Sequence, residues 1–371
     1  MPTISIRGNE MPASPIRKLA PLADAAKQRG VHVFHLNIGQ PDLPTPQAAI
    51  DAIRNIDRKV LEYSPSAGNR SYREKLVGYY AKFNINLTAD DIIITSGGSE
   101  AVLFSFLSCL NPGDEIIVPE PAYANYMAFA ISAGAKIRTI ATTIEEGFSL
   151  PKVEKFEELI NERTKAILIC NPNNPTGKLM KPAYLENVLE VCKEKNIYVV
   201  LDECFIEFCE KENSIVQKLS TYRNLLIVRA FTKIYAIPGV RLGYLMCSDE
   251  ELLQKIRVQL SEWNLSSFAE AAGIACLQQQ EYLKKTVEYV AAERKFLTEK
   301  LQNLGLQVIL SDANFILFYS EKPLYKKLLQ KGILIRDCKN FQGLSEGYYR
   351  VAVKSRRENE ILEKAIGECI G

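Results

Sequence analysis

Seven short runs between residues 91 and 247 are almost wholly apolar: DIIITSG, EIIVPEP, AKIRTIA, KAILICNP, IYVVLDE, NLLIVRAF and RLGYLMC. Runs of this kind predict strands buried on both faces, as in a largely parallel sheet covered by helices. The segments between them follow a different period. KPAYLENVLEVCKEKN has a proline near its start, apolar residues at helical spacing and an asparagine close to its stop, which predicts a crossover helix. Strands alternating with such helices predict an α/β domain. Beyond about residue 250 the pattern changes again. EYLKKTVEYVAAERKFLTEKLQNLG predicts a long amphipathic helix, and QVILS, NFILFYS and YYRVAVK predict short strands, so a second, smaller α+β domain is expected.

Composition removes several classes of function. The 371 residues carry a formal charge of +2 with both signs interspersed, so there is no basic footprint for nucleic acid or an anionic membrane. The N-terminus MPTISIRGNE lacks the layout of a signal peptide, and no apolar run approaches the roughly 18 residues that suggest a membrane span. A cytoplasmic protein is expected. Nine cysteines are scattered from Cys109 to Cys369 with no CxxC pair, which reads as reduced thiols. The two histidines, His32 and His35, read as an alternation on a short strand, and neither a metal site nor a histidine-based triad is expected.

Four stretches place chemistry where parallel strands run into loops. In TSGGSEA, a strand passes through Gly97 and Gly98 into a helix, whose free N–H groups, with the Ser99 hydroxyl, suit a phosphate or serve only as a cap. CNPNNPTG, from Cys170 to Gly177, is forced into a defined turn by its two Asn-Pro steps and its terminal glycine. That turn fixes Asn173 and Asn174. In VVLDECFIEF, Asp202 and Glu203 close an otherwise apolar strand and need a partner, either a cationic ring nitrogen or a nearby arginine. In FTKIYAIPGVRLGY, Lys233 is flanked by apolar residues, an environment that can make a lysine an amine nucleophile toward an aldehyde. Arg241, after the rigid IPG turn, suits a phosphate.

Taken in order, GGSEA, PEPAY, NPNNPTG, LDE, TKIYAIPGVRLGY and YYRVAV resemble the fold-type I pyridoxal-phosphate enzymes, specifically the class I/II aminotransferases, from HLNIGQPDLPTP to the last helix. The resemblance implies a large domain over 38–252 with a mostly parallel seven-stranded sheet, and a small domain from 1–37 and 253–371. It implies that Lys233 links covalently to pyridoxal 5'-phosphate, that Asp202 pairs with the ring nitrogen, that Asn174 bonds the ring hydroxyl and that Tyr123 stacks on the ring. Gly98, Ser99 and Arg241 are implied at the phosphate and Glu100 also at the cofactor, with Tyr63 of YSPSAG reaching the phosphate from the other subunit of a homodimer. Arg350 is implied at the substrate α-carboxylate, beneath the loop that holds Gly39. Two positions depart from the pattern: Phe205 stands where many members have tyrosine, and Ala230 where a serine is common.

The resemblance implies an aminotransferase acting on an amino acid and a 2-oxo acid. Residues up to about Gly177 are similar to aspartate-type enzymes. From about Lys178 onward, above all in ILIRDCKNFQGLSEGYYRVAVKSRREN, the chain is similar to threonine-phosphate decarboxylase and histidinol-phosphate aminotransferase, where Arg336 and Arg350 would together hold a phosphorylated substrate. The HGG-type motif of the decarboxylases is missing from the N-terminal segment. A mosaic of two homologues joined near NPNNPTG is therefore an open alternative, as is a module of this fold that only senses its ligand.

Overall fold

Seven strands form the central sheet: β1 (Ile92–Thr95), β2 (Glu115–Glu120), β3 (Lys136–Ala141), β4 (Thr164–Cys170), β5 (Tyr198–Asp202), β6 (Leu225–Ala230) and β7 (Gly243–Met246). These are the seven apolar runs of the sequence. The computed structural model describes residues 2–12, 19–40, 42–57 and 59–371. Across the sheet the order is β1-β7-β6-β5-β4-β2-β3. β7 runs antiparallel to both its neighbours, and every other pairing is parallel. The inner strands are buried along nearly all of their length, as continuous apolar runs require. β3 lies at the edge, and its Lys136, Arg138 and Thr139 are correspondingly more exposed.

Alternate residues of each strand face opposite layers. Val199, Leu201, Leu225 and Ile227 join one apolar core, whereas Val200, Leu226 and Val228 join the core on the other face. The first layer includes α1 (Arg70–Ala81), and the second is built around α2 (Gly98–Cys109) and α3 (Asn125–Ala133). The crossover α4 (Pro182–Glu194) starts on Pro182, as its sequence predicts, and buries Leu185, Val188, Leu189 and Cys192.

A 24-residue helix, α5 (Gln280–Asn303), leads to a separate antiparallel sheet made of β8 (Gln307–Ile309), β9 (Phe315–Tyr319), β10 (Arg336–Asp337) and β11 (Tyr348–Ala352). Its order is β10-β11-β9-β8, and α6 (Arg356–Ile370) covers it with Leu362 and Ile366 in the shared core. Phe34 and His35 pair in parallel with Ile333 and Leu334, so the N-terminal segment joins this part of the molecule. No helix among the described residues is long and apolar enough to cross a membrane.

Candidate active site

The direction of the strands gathers the site at one edge of the central sheet. β4, β5 and β6 end there at Cys170, Asp202 and Ala230, and β1 ends there at Thr95. Because β7 is antiparallel, it begins at the same edge, two residues after Arg241. A cleft of about 200 Å³ opens at this edge. Gly39, Gly98, Ser99, Tyr123, Asn174, Asp202, Lys233, Arg241 and Arg350 all line it, so nine of the residues singled out in the sequence converge on one cavity.

Each wall has a local cause. Helix α2 starts without a side-chain cap, and the N–H groups of Gly98 and Ser99, in its first turn, have no intrahelical acceptor. Gly97 has a φ of 87°, and a Cβ there would lie 2.5 Å from Arg241 Nη2. Only glycine lets the guanidinium come this close to the helix start. Arg241 itself adopts a left-handed conformation after the Pro238 turn, with Nη1 donating to the Pro238 carbonyl at 3.1 Å. Together these groups form an anion cradle of backbone N–H groups, a hydroxyl and a guanidinium.

Asp202 is buried at the end of β5. Its Oδ2 accepts from the Tyr126 hydroxyl at 2.7 Å and its Oδ1 from the Cys204 N–H at 3.0 Å. No arginine among the described residues pairs with it, and Arg229 instead binds Glu203, the next residue, at 2.7 Å. Asp202 is left as the carboxylate of the cleft.

The Lys233 amine makes no hydrogen bond or ion pair among the described residues. Burial pushes its amine down to about 8, with the positive charges of Arg350 and Arg241 adding to the fall against an opposing effect of Cys204. A lysine in this state is roughly one-tenth neutral at pH 7 and half neutral at about pH 8, far more than an ordinary lysine. Arg350 is buried and donates to Asn174 Oδ1 through Nη1 and to the Asn37 carbonyl through Nη2 at 3.3 Å, with Phe315 5.0 Å beneath its guanidinium. Tyr123 packs edge-on against Tyr126 at 5.5 Å, and Phe205 edge-on against Phe315 at 5.1 Å.

Three expected site residues stand outside the cleft. Glu100 turns back toward the segment before its own helix, where its carboxylate accepts from the Ser96 N–H at 2.6 Å and from Asn264 Nδ2 at 3.0 Å. An acidic side chain in the first helical turn is better satisfied by the N-terminal amides than beside a second anion. Tyr63 is 76% exposed and stacks on Trp263 at 4.4 Å, away from this chain's own cleft. Arg336 is buried one strand away, directly across from Arg350 in the β10–β11 register, and its guanidinium is held by the Asp337 carbonyl, by Asn340 Oδ1 and over the Phe341 ring. Sequence reading missed Tyr126, whose hydroxyl reaches Asp202. A helical turn places it three residues after Tyr123, and that spacing was the available signal. Thr232 and Phe129 also line the cleft, and nothing in their sequence context distinguishes them from core residues. Among the described residues, no group of three or more His, Cys, Asp or Glu is placed to hold a metal.

Comparison with known proteins agrees with this geometry. A family model described as aminotransferase class I and II matches residues 31–367. A histidinol-phosphate aminotransferase of Methanosphaera stadtmanae is 31% identical, over 89% of this chain and 87% of that protein. A threonine-phosphate decarboxylase of Salmonella typhimurium is 33% identical, over 74% and 76%. Among solved structures, the aspartate aminotransferase of Thermus thermophilus with maleate superposes with a TM-score of 0.90 at 26% identity, covering all of both chains. The chain thus belongs to the class I and II aminotransferase family, whose members are pyridoxal-phosphate-dependent enzymes.

Proposed function

We propose that this enzyme moves an amino group between an amino acid and a 2-oxo acid, with Lys233 as its catalytic residue. The observation that carries the reading is an amine without a partner in a cleft that also offers an anion cradle, a buried carboxylate and a fixed guanidinium. These groups fit pyridoxal phosphate. Gly98, Ser99 and Arg241 would hold its phosphate, Asp202 its ring nitrogen, Asn174 its ring hydroxyl and Tyr123 the ring face. When bound, the cofactor supplies an aldehyde and an electron sink for the pair released at the substrate's α-carbon.

The protein's part is proton movement and orientation. Arg350, tied to Asn174 and Asn37, would hold the substrate carboxylate at one point. A carboxylate fixed there is retained, and the group left to be moved is the α-proton, which the Lys233 amine would take up in its neutral form. Cleft walls made by Phe205, Phe315 and Tyr123 exclude water from that transfer. We further infer a homodimer in which Tyr63, exposed and stacked on Trp263, serves the partner's cleft.

A second reading has its own support. Arg336 and Arg350 face each other across neighbouring strands, both buried, and neither has a carboxylate partner among the described residues. Two like charges in this position are unfavourable until an anion joins them. This favours a substrate with a second anionic group, such as O-phosphothreonine for decarboxylation or histidinol phosphate for transamination. The relative from Methanosphaera stadtmanae matches across both halves of the chain, so no mosaic is needed to explain the later half.

One experiment separates the readings. Holoenzyme is given a panel of amino acids, histidinol phosphate and O-phosphothreonine with 2-oxoglutarate, and products are identified by mass. Glutamate formed from ordinary amino acids supports the first reading, and glutamate from histidinol phosphate alone supports the second. Carbon dioxide with aminopropanol phosphate replaces transfer by decarboxylation. A chain that borohydride does not fix to the cofactor at Lys233 overturns both readings.

A further inference from the structure

The sheet edge that carries the cleft has a second cavity behind it. Strand alternation sends Asp202 and Ala230 toward the cleft, and it sends Glu203 and Arg229 to the opposite layer. There a cavity of about 490 Å³ opens between α1, the turns over 206–216 and the start of α5. This volume lies in the range that holds small molecules. Its walls are apolar and aromatic, including Tyr79, Phe83, Ile206, Leu283 and Val287.

Its charges do not balance. Arg229 and Glu207 line it and pair at 2.9 Å, but Arg229 also binds Ser214 Oγ at 2.6 Å and, beyond the lining, Glu203 at 2.7 Å, so one cation serves two carboxylates. Glu203 Oε1 is buried and has no hydrogen-bond partner among the described residues. Glu207 Oε2 is met by the Tyr79 hydroxyl at 3.4 Å, a long contact. At the mouth, Lys211 and Lys284 face Glu210, Glu281 and Glu288, again with one acid in excess. The wall accepts a cation: the Lys211 amine sits 3.4 Å over the Phe83 ring.

We propose that this cavity is a second ligand site, selective for a small organic cation with an aromatic or branched apolar body, and that its occupant is sensed in the cleft. The apolar walls take the body, and Glu207 with the aromatic rings takes the charge. The link to the cleft is covalent and short. Phe205 lines the cleft and Ile206 the cavity, one peptide apart, and both descend from Asp202. A cation that draws Glu207 from Arg229 pulls on that segment. This inference stands whichever substrate the cleft takes.

The probe is benzyltrimethylammonium, which has no N–H and so cannot condense with the cofactor, with benzoate as its charge-reversed control. Calorimetry on the holoenzyme should show saturable binding of the cation and none of benzoate. Glu207→Gln should weaken it by about tenfold, and Val287→Trp, which fills the cavity from the half-buried face of α5, should abolish it. Both variants should retain the cofactor's visible absorbance, and the probe should shift that absorbance in the unsubstituted protein. Maleate, a dicarboxylate for the cleft, should not displace it. Binding that survives both substitutions, competes with maleate or is absent at millimolar probe overturns the site. Binding without any absorbance change overturns the link to the cleft. Should Val287→Trp fail to fold, the Glu207→Gln affinity decides.

Discussion

The two sides of one sheet edge treat charge in opposite ways. Toward the cleft, Asp202, Lys233 and Arg241 make no ion pair with one another or with any described residue. On the other side, one residue away along the same strands, Arg229 is tied to Glu203, Glu207 and Ser214. A buried charge without a counter-charge costs stability, whereas a paired one costs much less. The back of the edge therefore holds its buried cation closed among carboxylates, and the front leaves its charges open for a ligand to complete. The contrast follows from alternation alone, since a strand with acidic residues at two successive positions must present one carboxylate to each face.

The strongest way to break the contrast is to remove the open amine. Lys233→Ala should lower turnover by roughly 10⁴-fold, the upper range for loss of an acid–base group. Thermal unfolding of the protein without cofactor should change little, or rise slightly, because the amine that burial holds down to about 8 is itself unfavourable below that pH. The sign follows from linkage: between about 8 and the ordinary lysine value the unfolded chain binds more protons, so this group makes stability rise with pH in that window. In the cofactor-free chain, borohydride trapping of a small aldehyde at Lys233 should accelerate as pH passes about 8. A rate that is flat from pH 6 to 10 would refute the neutral-amine assignment.

Removing the closed cation tests the other side. Arg229→Met leaves Glu203 and Glu207 facing each other in a buried layer, and about 3–5 kcal/mol of stability should be lost. Chemical denaturation reads this directly. Below the shifted transition the variant should still bind cofactor with its visible absorbance, because Arg229 does not line the cleft. Loss of absorbance with unchanged stability would reverse the assignment of the two faces.

Much of this contrast was legible in the chain itself. All seven strands of the central sheet were readable because burial on both faces forces unbroken apolar runs, and the edge was readable because loops at strand ends carry the polar exceptions. Gly98, Ser99, Asn174, Asp202, Lys233 and Arg241 line the cleft for that reason, whereas Gly39, Tyr123 and Arg350 were reached through the family resemblance. Glu100 stands outside the cleft because its carboxylate folds back to the Ser96 N–H, a direction that its position in GGSEA does not reveal. Asp202 and Glu203 looked interchangeable as partners for an arginine. Which of them takes Arg229 depends on the parity of β5 and β6, fixed by register and not by composition. Tyr126 was hidden because a buried tyrosine on a helix reads as core until its hydroxyl has an address.

The substrate end of the cleft should respond more mildly. Arg350→Ala should raise KM for the amino-acid substrate by roughly 10- to 100-fold, in line with losing a charge-assisted bond to a carboxylate, with the bound-cofactor spectrum retained. Arg336→Ala divides the two substrate readings. It should leave KM for a monoanionic amino acid within about twofold, yet raise it about tenfold or more for a phosphorylated one. Equal effects on both would remove the argument from the β10–β11 pairing.

The smallest effect should come from restoring a hydroxyl at Phe205, which lies against the cleft wall over Phe315. Phe205→Tyr adds one O–H donor to a cavity whose other donors are already placed. Asn174, which lines the same cleft, would hold the cofactor's ring hydroxyl, and a second donor reaching that oxygen would favour the deprotonated form of the bound cofactor. The pH titration of its visible absorbance should therefore move to lower pH, with turnover changed by less than about tenfold. Stability should fall by no more than about 1 kcal/mol, the cost of a hydroxyl that finds a partner. A larger loss would mean that the hydroxyl is buried without one, and that Phe205 belongs to the packed wall and not to the open site.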